Sequence, residues 1–121
     1  MPIVLDVDHR NFEVTAIAIG PITFEDVKNH LLMERYFNGL AYKELVDARG
    51  SGISWTQSET REIVQLLREL GHGSKLGPTA VLVSDDVAFG IIRMLEALVE
   101  DVCEIVPFRD ENEARTWLNF R

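Results

Sequence analysis

Hydrophobic and polar positions alternate by two in some stretches and by three or four in others, and the two periods predict different elements. Ile3-Val4-Leu5-Asp6-Val7 reads as a short strand, and Phe12 to Ile19 alternates as a second. The turn-like Asp8-His9-Arg10-Asn11 between them predicts an antiparallel hairpin, ended by Gly20-Pro21. Thr23 then caps a helix with Glu25 and Asp26 in its first turn and a stripe of Phe24, Val27, Leu31 and Leu32. Glu44 to Ala48 is a short strand, and Arg49-Gly50-Ser51-Gly52 a loop. Thr56-Gln57-Ser58-Glu59 is a capping box opening a helix with Ile63, Leu66, Leu67 and Leu70 inward. Gly71 is expected to supply the left-handed residue that ends it. Thr79 to Val83 is apolar on both faces, as a buried parallel strand requires.

The third helix starts at Ser84-Asp85-Asp86, with Ile91, Met94, Leu95 and Leu98 on one side, widened by Phe89, Ile92 and Val99. Cys103 to Phe108 is the last strand, and Pro107 places it at an edge or ends it early. Asp110 caps a terminal helix whose face is Ala114, Trp117, Leu118 and Arg121. The order β-β-α-β-α-β-α-β-α predicts an α/β fold: a mixed, mostly parallel sheet of four or five strands with helices packed on it. The 121 residues fit one domain over 1–121.

Charge narrows the function. Twelve basic against twenty acidic side chains give a net charge of -8, which repels nucleic acid and anionic membrane surfaces alike. No apolar run reaches a membrane span, and the first residues lack the basic region of a signal peptide. One cysteine, Cys103, permits no disulfide within the chain, so a cytoplasmic location is expected and the thiol is read as a small buried hydrophobe. His9, His30 and His72 show no ligand spacing, no nucleophile–base pair stands out, and Gly50-x-Gly52 is too short for a dinucleotide loop. No metal, no cofactor and no catalysis are expected.

Candidate chemistry gathers where parallel strands end. Helix N-termini near Thr56, Asp86 and Asp110 should meet there, with Arg49 and Arg109 on the same edge, able to hold a carboxylate or phosphate or to pair with Asp47, Asp85 or Asp110. Asp47, Asp85 and Asp86 are acids on that edge; a magnesium site there is disfavoured because the leading hairpin is wrong for a phosphorelay receiver. Ser51, Ser54, Thr56, Ser58 and Ser84 offer hydroxyls, as phosphate positions or as turn and cap residues. Trp55 is read either as a partner contact or as a staple on the following helix. Met33, Tyr36, Phe37 and Leu40 make the end of the first helix unusually apolar, as Met94, Leu95 and Leu98 do for the third. These wide stripes suit core packing, an apolar groove or a homodimer surface.

Several ordered segments resemble the SpoIIAA-like, or STAS-like, domain family. They are Gly20-Pro21-Ile22-Thr23-Phe24-Glu25-Asp26, Leu45-Val46-Asp47-Ala48-Arg49, Ala80 to Asp86 with Phe89-Gly90 and Arg93, and Val106 to Asp110 with Glu113-Ala114 and Trp117-Leu118. The resemblance implies a small α/β sandwich related to anti-sigma-factor antagonists and to the SEC14-type lipid-binding fold. It implies a non-enzymatic regulatory module with a protein partner, or else a carrier of a small apolar ligand. The family's phosphorylated members carry a D-S-[ST]-G-type motif; Asp47 to Thr56 has hydroxyls but not that motif.

Overall fold

The computed structural model describes residues 2–53, 55–73 and 75–121. Strands β1 (Ile3–Asp8) and β2 (Glu13–Ile19) form the antiparallel hairpin. Helix α1 (Phe24–Tyr36) leads to β3 (Lys43–Gly50), α2 (Gln57–Leu70) to β4 (Thr79–Leu82), and α3 (Asp86–Val99) to β5 (Ile105–Phe108). Helix α4 (Glu111–Asn119) closes the described chain. The sheet order is β1-β2-β3-β4-β5, with β2 to β5 parallel. The predicted class and element order are therefore observed, with five strands. Among the described residues no helix is long and apolar enough to cross a membrane.

The helix starts follow from their caps. Thr23 accepts the Asp26 amide while Asp26 accepts the Thr23 amide, and Thr56 and Glu59 repeat that reciprocal pair. Asp85 accepts the Ala88 amide and Asp110 the Glu113 amide. Each cap contributes about 0.5–2 kcal/mol.

One sheet face and α1 to α3 bury the larger core, which includes Ala18, Ala48, Ile63, Leu67, Val81, Ile92 and Val99. On the other face α4 lays Ala114 and Leu118 over Leu45, Ala80 and Leu82. This second layer stops short of the hairpin. Val4, Ile17 and Ile19 remain exposed there, Val4 directly opposite Ile17.

Four local expectations change. Strand β3 runs on through Arg49 and Gly50, because Gly50 extends the pairing with β2 beyond a register shift. Gly71 keeps ordinary right-handed dihedrals (φ -82°), and the left-handed residue is Gly73. The constraint at Gly71 is space, since a Cβ would press on the Val102 side chain. The inner face of α3 is Ala88, Ile92, Leu95 and Val99, which leaves Met94 and Leu98 exposed. Arg121 lies beyond the end of α4, its guanidinium over the Trp117 ring.

Two glycines test this packing in opposite directions. A methyl group at Gly77 would overlap the Tyr42 backbone carbonyl, whereas one at Gly90, inside α3, meets nothing within 4 Å. In urea melts Gly77→Ala is expected to cost about 2–4 kcal/mol or to prevent folding. Gly90→Ala should stabilise by about 0.5–1 kcal/mol.

Candidate functional site

Helix α1 is amphipathic in sequence, yet its apolar residues Phe24, Val27, Leu31 and Leu32 are only half-buried. Its one fully buried residue is Glu34, 3% exposed. One turn earlier, His30 points the same way, as residues four apart must. Across from them Glu44, near the start of β3, faces the same core layer and is also buried. The His30 Nε2 atom lies 2.6 Å from Glu34 Oε1 and 2.8 Å from Glu44 Oε2. The hydrogen bond is aligned with Glu44. Glu34 Oε1 and His30 Nδ1 are buried without an aligned hydrogen-bond partner among the described residues.

Charge in this cluster is set by its burial. Burial pulls the His30 pKa down, but hydrogen bonds and charges from Glu34 and Glu44 more than reverse this and raise it to about 10. Burial and then the Glu44 charge push Glu34 up to about 8, against the opposing pull of His30. Both groups are therefore pushed toward their protonated forms. Among the described residues His30, Glu34 and Glu44 are the group of three ligand-type side chains whose donor atoms lie within 4.8 Å of one another.

The cluster stands at the meeting of two hollows. A cavity of about 120 Å³ lies between α1, the sheet and the inner faces of α2 and α3, lined by Val27, Leu31, Val46, Ala48, Trp55 and Ile63 among others. An open groove of about 540 Å³ runs between β1 and α1, past Val4, Met33 and Phe37. Ile3 and His30 line both.

The strand-end edge expected to hold the site is assembled, with its charges paired internally. Arg49 grips both oxygens of Asp47 at 3.0 and 2.9 Å and reaches Glu111 at 3.1 Å. Asp47 is accordingly held below the usual carboxylate range, chiefly by that hydrogen bond. Ser84 Oγ donates to the Arg49 carbonyl. Arg109 pairs with Asp86 and stacks on Phe89. Asp85 and Thr56 are helix caps, and Ser58 is exposed in the first turn of α2. Ser51 is buried, its hydroxyl without a hydrogen-bond partner among the described residues. Ser54 lies outside the described residues. Trp55 is half-buried against the core, and its Nε1–H donates to the Ile22 carbonyl at 3.0 Å. Cys103 is buried, which raises its thiol pKa to about 11.

Sequence reasoning set His30 aside for want of a second histidine. The signal it passed over is the four-residue spacing from His30 to Glu34 on one helix face, with an acid opening the next strand.

No protein-family model matches the chain, and no curated protein is significantly similar to it in sequence. Among solved structures it is similar to an uncharacterised protein of the DUF3478 family with a SpoIIAA-like fold from Shewanella loihica PV-4. The TM-score is 0.58 at 20% identity, over 96% of this chain and 91% of that one. The fold is SpoIIAA-like, as the sequence resemblance implied.

Both upward shifts mean that the folded state holds these protons more tightly than the unfolded chain does. The stabilisation is complete at low pH and is lost as pH rises, from 4.5 to about 8 for Glu34 and from 6.5 to about 10 for His30. The lowered Asp47 works oppositely, losing its contribution on acidification. Urea melts in the presence of a chelator should show stability falling from about pH 5 to pH 9. Glu34→Gln should flatten the part of that fall below pH 8; a fall of unchanged steepness in this variant would contradict the assignment.

Proposed function

We propose that this protein is a non-enzymatic binding module for a small apolar ligand with a polar end, held beneath α1. The supporting observation is the apolar cavity with the His30–Glu34–Glu44 cluster in its wall, where Ile3 and His30 also line the groove outside. Binding sites of this type are mostly apolar with a few convergent polar groups. Volume sets the ligand's size. At about 120 Å³ the cavity is close to one that accepts a benzene ring. The ligand's buried part is therefore a single ring or a chain of about six carbons, and its polar end lies toward His30.

Titration with 1-hexanol, followed by the fluorescence of Trp55 and by methyl NMR of Val46 and Ile63, tests this. The expected Kd is roughly 0.1–1 mM for so few heavy atoms. Ala48→Leu fills the cavity and should weaken binding at least tenfold without lowering the melting temperature. Absence of any methyl perturbation at millimolar hexanol would end the proposal.

A second reading, a protein-interaction module, is supported by the bare apolar strip of Val4, Ile17 and Ile19 on the hairpin. Its simplest occupant is a second copy of the chain, giving a homodimer; the charged strand-end edge would then be left for a regulatory partner. Sedimentation equilibrium should show a dimer at micromolar concentration that Ile17→Lys dissociates. A monomer at all concentrations would remove this reading.

A further inference from the structure

We propose that His30, Glu34 and Glu44 form a binding site for a divalent first-row transition metal ion, with zinc as the best fit. Hydrogen bonding in the cluster is mismatched. The single hydrogen on His30 Nε2 has two carboxylate oxygens within 2.8 Å, at 2.6 and 2.8 Å, and it aligns with only one. Glu34 Oε1 lies beside it, in a side chain 4% exposed, with no aligned hydrogen bond among the described residues. A cation at the point where the three donors converge uses all of their lone pairs at once.

Charge agrees with this placement. Two carboxylates, a neutral imidazole and a divalent ion sum to zero, the state that a buried site tolerates best. The geometry requires a small adjustment. Zinc bonds of about 2.0–2.2 Å in a tetrahedron set donors roughly 3.3–3.5 Å apart, so the present donors must separate by about 0.5–0.9 Å. Two glutamate side chains beside a cavity have the torsional freedom to do so.

The donor set selects the metal. One imidazole nitrogen and two carboxylate oxygens suit zinc, cobalt, nickel or manganese. Calcium needs six to eight oxygens, and copper(I) prefers sulfur. Three protein donors leave a coordination position open toward the cavity or the groove, which is also the route of entry. Affinity is limited because the ion must displace the protons held on His30 and Glu34, and because one supporting contact is missing. A metal-bound histidine usually donates its other N–H to an acceptor, whereas His30 Nδ1 has none. Loss of that support weakens metal binding about 10–100-fold, which puts the expected Kd in the micromolar range. The inference does not depend on an apolar ligand being bound.

The test uses the full chain, stripped with a chelator, desalted and titrated with zinc chloride. Calorimetry should show one equivalent bound, and excess zinc should raise the melting midpoint by about 5 °C or more. Long-range ¹H–¹⁵N spectra of the unmodified protein should show zinc moving His30 Nε2 while His9 and His72 stay in place. Glu34→Gln and Glu44→Gln, which keep the side-chain shape, should each weaken binding at least tenfold. No binding at 100-fold the expected Kd would overturn the proposal. So would shifts at His9 or His72 without one at His30, or wild-type affinity in both glutamine variants. The imidazole spectrum decides the matter even if a variant fails to fold.

Discussion

Helix α1 is held to the sheet by a polar clasp, and the rest of the molecule's open side depends on it. Its apolar residues are half-buried at best, while Glu34 and His30 reach inward to Glu44 on β3. Apolar side chains of the same volume would generally stabilise such a contact more, because three ionisable groups must be desolvated to make it. Breaking the clasp from one side is costly for the same reason, since it leaves a buried charge without its counterpart. The helix is thus fixed in position by a few directional contacts. The surface beneath it stays incompletely filled, and the cavity lies there.

Much of the fold was legible because its signals are local. The Thr23 cap, the Thr56–Glu59 capping box, the β2 alternation and the doubly apolar β4 each follow from residues within a few positions of one another, and all four lie where the pattern put them. The failures share a different cause. Gly71 was read from chain position alone, and its real constraint is Val102, which approaches from the far end of α3. Met94 and Leu98 are as hydrophobic as their neighbours, so the pattern fixed a helix but not which part of a wide stripe would turn inward.

The candidate site was legible in one half. His30 and Glu34 share a helix face by their spacing, but Glu44 joins them only through the β2–α1–β3 crossover and the register Val14 opposite Glu44. That is a tertiary fact with no short-range signature. The edge around Asp47, Arg49, Ser84 and Arg109 shows the converse. Its assembly and the Arg49–Asp47 pair were foreseeable from strand ends, while Glu111 reaches Arg49 from α4, and Arg109 takes Asp86 rather than Asp85 or Asp110.

Topology explains why the hollow lies at α1 and not at the strand ends. In open α/β sheets the ligand crevice forms where the strand order reverses. Here the parallel strands β2 to β5 follow one another in sequence order, so successive crossovers never diverge and no such crevice opens. The irregularity is at the other end of the sheet. Strand β1 is added by a hairpin rather than by a crossover, and it brings no helix of its own. Helix α1 packs beside β1 and α2, and one helix does not fill the width between the hairpin and α2. The groove along β1 and the cavity behind it are what remains uncovered, and the polar clasp stands at the boundary between them.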